Sequence, residues 1–313
     1  MDAARPRLAL ILGPTGVGKT SLALQIAEAA GAEILSADSM AVYRRMDIGT
    51  AKPTAAERAR IPHHLIDVVD PDEPFTAADF AARAREIIQD RAARGIPILV
   101  VGGTGLYVRA LIHGLFEGPP ADLDLRARLE AEEAASPGAL HRRLAEVDAE
   151  AAERLHPHDL VRLVRALEVF STTGRTLTAW IAAHRFSDEP FDALKLVLTR
   201  ERAELVTRID ARVDAMMGEG LLEEVRGLLA AGYGPDLKPM KGLGYLHMAR
   251  HLVDGTPLEE EVRLLKRDTR RFARRQMTWM RGEAGARFVP VEAREGLAAR
   301  VMEFLNGGPF HAT

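Results

Sequence analysis

The sequence predicts an α/β fold, a parallel sheet of the P-loop NTPase-like type interrupted by a helical insertion. Three observations predict it. Residues Gly13–Thr20 read GPTGVGKT, a full match to the phosphate-loop pattern G-x-x-x-x-G-K-[ST], set between a β-type run and a helical pattern. Near residue 96, IPILVVGGTGLY holds a continuous β-branched run bounded by Pro97 and the Gly102–Gly103 pair, as a buried parallel strand requires. From about residue 118 the pattern turns purely helical, until ALKLVLTR offers another strand.

Taken in order, RLALILG enters the loop as a strand, and SLALQIAEAAG leaves it as a helix ending at Gly31. AEILSADS is a second short apolar run, closed by polar residues, and PILVV is the third strand. Amphipathic helices broken at SPG, HPHD and TTG follow, then the ALKLVLTR strand and long helical patterns at 202–231 and 259–282. The expected division is 1–119 for the first part of the core, 120–190 for the insertion, and 191–313 for core completion and C-terminal helices. Strands alternating with helices predict a parallel sheet with ligands at the carboxyl ends of its strands.

Composition narrows the classes. The 313 residues are 47% apolar and 28% charged, as in an ordinary globular protein. The absence of cysteine excludes a disulfide framework and any Cys-based zinc site. No apolar stretch reaches bilayer length and MDAARPRLAL lacks a signal-peptide pattern, so a cytoplasmic protein without a membrane partner is expected. The net charge of −3 does not favour nucleic acid, but Lys266–Arg281 carries seven basic residues against one acid. Charge alone leaves that segment open between a solvated helix face and a nucleic-acid surface.

The loop carries the clearest chemistry. Gly13, Gly16 and Gly18 let the backbone of Gly13, Pro14, Thr15, Gly16, Val17 and Gly18 turn its N–H groups inward around a phosphate chain, aided by the following helix. Lys19 adds a charge at the terminal phosphates, and Thr20 offers a hydroxyl to Mg²⁺. A phosphoryl-transfer enzyme of this architecture ends a strand in a Mg²⁺-holding acid. PILVVGGTG ends instead in glycines and Thr104, while the acid, Asp38, follows the second strand. A parallel sheet brings Asp38, Thr104 and the loop together. For Asp38 a helix N-cap or a water-mediated Mg²⁺ ligand are the structural alternatives. His63 and His64 are adjacent, so their side chains point apart, and a structural role is expected of them.

The motifs GPTGVGKT, SADSMAVYRRMDIGTAKP, HHLIDVVDPDEPFTAADF and VVGGTGLYVRAL, in that order and spacing, resemble the tRNA dimethylallyltransferase (tRNA isopentenyltransferase, IPP transferase) family. The likeness continues through HPHDLVRLVRALEVFSTTGRTLT, GLLEEVRGLLAAGY, MKGLGY and RRFARRQMTWMRG, so it runs from about residue 8 to 290. Gly16 stands where the family commonly has alanine, and the lack of cysteines fits the bacterial-type form without a zinc-finger extension. The resemblance implies transfer of a dimethylallyl group from dimethylallyl diphosphate to N6 of the adenosine 3′ to the anticodon of tRNA. Mg²⁺ is the implied cofactor, diphosphate the leaving group, and a monomer is expected.

It also implies roles. Asp38 matches the general base and Thr104 a hydroxyl at the reacting centre. Asp38, Ser39, Met40, Ala41, Thr104, Arg126, Arg162, Leu163, Val164, Arg165, Lys241, Gly244 and Tyr245 match tRNA contacts. Arg208 and Arg212, one helical turn apart, either clamp the diphosphate or pair with Glu204 and Asp210. The rival readings are a P-loop small-molecule kinase, a nucleotide-switched RNA-binding module, and an adenylate isopentenyltransferase.

Overall fold

The computed structural model describes residues 5–116, 118–184 and 190–310. The elements follow in order: β1 (Arg7–Leu12), α1 (Lys19–Ala30), β2 (Glu33–Ala37), α2 (Ala55–Arg60), β3 (His63–His64), α3 (Ala77–Ala93), β4 (Ile98–Gly102) and α4 (Gly105–His113). Five helices come next: α5 (Leu123–Ala135), α6 (Ala139–Val147), α7 (Ala149–Arg154), α8 (Leu160–Thr173) and α9 (Leu177–His184). The chain ends through β5 (Asp192–Thr199), α10 (Arg202–Glu219), α11 (Leu221–Ala230), α12 (Leu243–Ala249), α13 (Leu258–Arg281), β6 (Ala286–Pro290) and α14 (Leu297–Leu305).

The six strands pair in parallel in the order β3-β2-β4-β1-β5-β6. Their two-residue period sends alternate side chains to opposite faces. Leu8, Leu10 and Leu12 of β1 join Leu35, Val100 and Val197 in one core. Ala9 and Ile11 join Ile34, Leu99, Leu196 and α1 in the other. With both faces covered, β1 and β4 read as continuous apolar runs, the signal that betrays them in the sequence.

Register then fixes where the strands stop. Leu12 and Ala37 both pair with Gly102, so β1, β2 and β4 end on one rung. A Cβ at Gly102 would stand 2.2 Å from the Ala37 carbonyl oxygen, so this rung tolerates no side chain there.

The chain folds as two compact units, Met1–Ile112 with Glu189–Thr313, and His113–Asp188, the second against the 120–190 expected. Leu129, Leu140, Leu144, Leu163 and Leu167 build this second unit's own core. The single helix expected over 202–231 is two, because Gly220 at φ 101° adopts a left-handed conformation that closes α10 and opens α11. Among the described residues no helix is long and apolar enough to cross a membrane.

The second unit is organised around one buried carboxylate. Glu168 on α8 takes two hydrogen bonds from Arg126 (2.7 and 2.9 Å), one from Arg165 (2.6 Å) and one from the Asp122 N–H (2.8 Å). Burial alone would raise its pKa, but these donors outweigh it and hold the carboxyl at about 2. A depressed carboxylate pKa adds stability above the unfolded value, which is lost as pH falls through the folded one. Acidification from about pH 4.5 towards 2 is therefore expected to loosen this unit selectively. Glu168→Gln should destabilise it by about 2–4 kcal/mol at neutral pH and by much less near pH 2, read by hydrogen exchange of α5 and α8 amides.

Candidate active site

The rung shared by β1, β2 and β4 opens into a cavity of about 480 Å³. All of its lining belongs to the first unit and includes Thr15, Lys19, Thr20, Asp38, Thr104 and Arg212.

The phosphate loop enters first. Gly16 (φ 80°) and Gly18 (φ 109°) take the left-handed conformations that the turn demands. Gly18 caps α1 without any side-chain hydrogen bond, so the helix's first N–H groups are left for an anion. Lys19 Nζ donates to the carbonyls of Gly13 (2.8 Å) and Pro14 (2.9 Å). Its burial, and next the Arg212 charge, press its pKa down to about 7, against the pull of Asp38. Arg212 is lowered too, chiefly by burial. It makes no ion pair among the described residues. Two crowded cations with one carboxylate describe an anion site.

Asp38 follows β2 directly, and its Oδ1 accepts the Met40 N–H at 2.8 Å. No helix begins there, since the next is α2, so the N-cap alternative falls. Thr104 follows β4; its N–H donates to the Ala37 carbonyl (3.3 Å) and its Oγ1 accepts the Ser39 N–H (3.1 Å). Asp38 and Thr104 are thus held side by side by the backbone of two adjacent strand ends.

The opposite wall comes from Gly49–Pro53 and from Lys241–Tyr245. Here sequence reasoning misses Glu224. Its carboxylate accepts the N–H groups of Asp47 (2.9 Å), Ile48 (2.8 Å) and Gly49 (3.1 Å), and the Tyr245 hydroxyl (2.7 Å). Burial and the Glu224 charge drive the Tyr245 pKa far above its ordinary range. A Cβ at Gly49 would lie 2.6 Å from the Tyr245 ring, so loop and ring share one volume. Tyr245 therefore lines the cavity as a buried ring with its hydroxyl already engaged. Lys241 lines the same wall, exposed.

Other expectations divide. Arg208 does not line the cavity; it is exposed, and its Nε donates to the Gly16 carbonyl (2.9 Å), bracing the loop from outside. The suggested partners are taken elsewhere, Glu204 by Arg200 and Asp210 by Nε and Nη2 of Arg270 (2.8 and 2.7 Å). In the second unit Leu163 and Val164 are buried in its core, so their side chains offer no surface to RNA. Arg126 and Arg165 are engaged by Glu168, whereas Arg162 is exposed beside Asp159 (3.0 Å). His63 Nδ1 donates to the Ile61 carbonyl (2.7 Å) while its residue lines the cavity, and His64 pairs with Glu33 (2.5 Å). Among the described residues no group of three or more His, Cys, Asp or Glu could hold a metal.

Gln276 of α13 is missed as well. It is buried in the cavity wall, on the same helix face as Phe272 and Trp279, and that spacing is its only sequence signal.

A family profile described as IPP transferase matches residues 41–283, and one described as Isopentenyl transferase matches 6–69. A tRNA dimethylallyltransferase of Syntrophobacter fumaroxidans is 53% identical over 94% of this chain and 86% of its own. One of Geobacter metallireducens is 52% identical over 96% and 98%. Among solved structures, the tRNA isopentenylpyrophosphate transferase of Bacillus halodurans superposes with a TM-score of 0.72, at 38% identity over 96% of this chain and 97% of its own. A eukaryotic dimethylallyltransferase acting on tRNA superposes at 0.83, with 26% identity over 98% and 81%.

The two arginines of α10 should separate in a binding experiment. Arg212→Met is expected to weaken inorganic diphosphate binding about tenfold or more, and Arg208→Met by less than about threefold, by titration calorimetry.

Proposed function

The chain belongs to the IPP transferase family, and from that premise we propose that it transfers a dimethylallyl group from dimethylallyl diphosphate to N6 of the adenosine 3′ to the anticodon of tRNA, releasing diphosphate. One observation carries the reading. Lys19, Arg212, and Thr15 and Thr20 of the phosphate loop share a single cavity with Asp38 and Thr104, which supports an anion site and a carboxylate acting in one chamber.

The adenine amine is a poor nucleophile, its lone pair delocalised into the ring. Asp38 accepts its proton as the nitrogen forms a bond to C1 of the donor, and the C1–O bond breaks with its electrons passing to diphosphate. The Met40 N–H holds one Asp38 oxygen and so orients the carboxylate. Charge grows on the leaving oxygen during that step. Loop N–H groups, Lys19 and Arg212 are preorganised around it and strengthen with that charge. Thr104, anchored between Ala37 and Ser39, presents its hydroxyl where diphosphate and base meet.

Mg²⁺ suits this donor set. The ion takes oxygen ligands, keeps several waters and needs few protein groups beside substrate phosphates. The Thr20 hydroxyl, which lines the cavity, would hold it with the diphosphate oxygens, and it would supply further neutralisation of the leaving group.

A stacked adenosine cannot enter such a chamber, so the base is displaced from the anticodon loop, at a cost of a few kcal/mol or less. Lys241 and the Asp38–Ala41 turn, which line the cavity together, are the residues we assign to gripping the displaced strand; the exposed Lys241 charge favours it. A kinase reading is not favoured, since the named relatives are tRNA dimethylallyltransferases.

Nucleoside mass spectrometry of tRNA incubated with the protein, Mg²⁺ and dimethylallyl diphosphate should reveal a prenylated adenosine; its absence while tRNA binds would overturn the reading. Asp38→Asn should lower kcat by about 10²–10⁴-fold and leave tRNA affinity within about threefold.

A further inference from the structure

Three segments distant in sequence meet at one side chain. Gln276 Oε1 accepts the Thr15 N–H of the phosphate loop at 2.8 Å, and its Nε2 donates to the Gly103 carbonyl at 3.1 Å. The amide is buried, and both of its ends are engaged. A primary amide accepts at one end and donates at the other, which an ionised carboxylate or an ammonium cannot do.

The next turn of α13 repeats the grip. A Cβ at Gly103 would lie 2.3 Å from Gln276 Nε2, and one at Gly105 would lie 2.6 Å from the Trp279 ring. Gln276 and Trp279, three residues apart on one helix face, thus occupy the two notches that flank Thr104. Thr104 in turn fixes the Ser39 N–H, one residue beyond Asp38. The chain of contacts runs from Thr15 through Gln276 and Gly103 to Thr104 and the Asp38 turn, without a gap.

We propose that Gln276 is a positioning residue coupling the two halves of the cavity: anion binding in the phosphate loop steadies Thr104 and Asp38, and RNA binding beside Asp38 steadies the loop. This rests on the prenyl-transfer reading above. A loop closed around an anion fixes Thr15, Gln276 carries that constraint to Gly103, and the acceptor side no longer has to be ordered when RNA arrives. The coupling is reciprocal, so each ligand should tighten the other by the same factor.

The test measures the affinity of an anticodon stem-loop RNA with and without saturating inorganic diphosphate and Mg²⁺. In the wild type, diphosphate should tighten the RNA by about fivefold or more. Gln276→Met, which keeps the volume, should bring that ratio near one while each single-ligand affinity stays within about threefold. Its kcat should fall more than either KM changes. Gln276→Glu keeps the acceptor for Thr15 but loses the donor to Gly103, so it should also lose the coupling and serves if the methionine variant does not fold. A merely structural residue would weaken both affinities and leave the ratio standing. The proposal is overturned if the wild type makes prenylated adenosine yet shows no coupling, or if both variants retain it. A wild type that makes no prenylated adenosine refutes the prenyl-transfer reading instead.

Discussion

Three strand ends on one rung govern this molecule. Because Leu12 and Ala37 both pair with Gly102, the next residues in each strand, Gly13, Asp38 and Gly103, leave the sheet together. A shift of any strand by one residue would exchange its two faces and carry its loop away from the others. The phosphate loop, the carboxylate and the hydroxyl of Thr104 are therefore neighbours through backbone pairing, before any side chain contributes. The glycine at position 102 is what lets the strands close so tightly there.

Electrostatics builds on that frame. Burying Lys19 beside Arg212 costs free energy, which an arriving anion reverses; this is how a cavity can prefer an anion without being rigidly shaped to it. Carboxylates elsewhere do the opposite, holding backbone and arginines still. Glu224 gathers three N–H groups and a tyrosine hydroxyl, and Glu168 gathers two arginines and an N–H group. Lys19 and Arg212 are thus placed for a ligand, whereas Glu224 and Glu168 are consumed by structure.

That division explains what could be read from the sequence. GPTGVGKT, the buried β4 run and the polar residue after β2 are local signals, and they sufficed for the parallel core of the sheet, the loop and the placing of Asp38 near Thr104. β3 and β6 were not legible at all, since a two-residue strand and a half-exposed edge strand carry no long apolar run. Nor was Gly220 legible as a break, because helical periodicity continues across it. Gln276 and Glu224 act on partners far along the chain, as Glu168 does on Arg126, and no local pattern marks those partners. The arginines mislead for the same reason: Arg126 and Arg208 look available in sequence, and only tertiary contacts reveal that they are engaged.

The strand order also bears on how the chain is made. β1 is the first strand to leave the ribosome, yet it lies in the sheet's interior, with β4 on one side and β5 on the other. Once β4 has emerged, β1 still exposes its second edge until the whole helical insertion and then β5 have been synthesised. At about 5–20 residues per second that exposure lasts on the order of ten seconds, long enough for an unpaired apolar edge to meet another nascent chain. An insertion with its own core has time to fold during that wait, so the helical unit is made before the sheet it interrupts is complete.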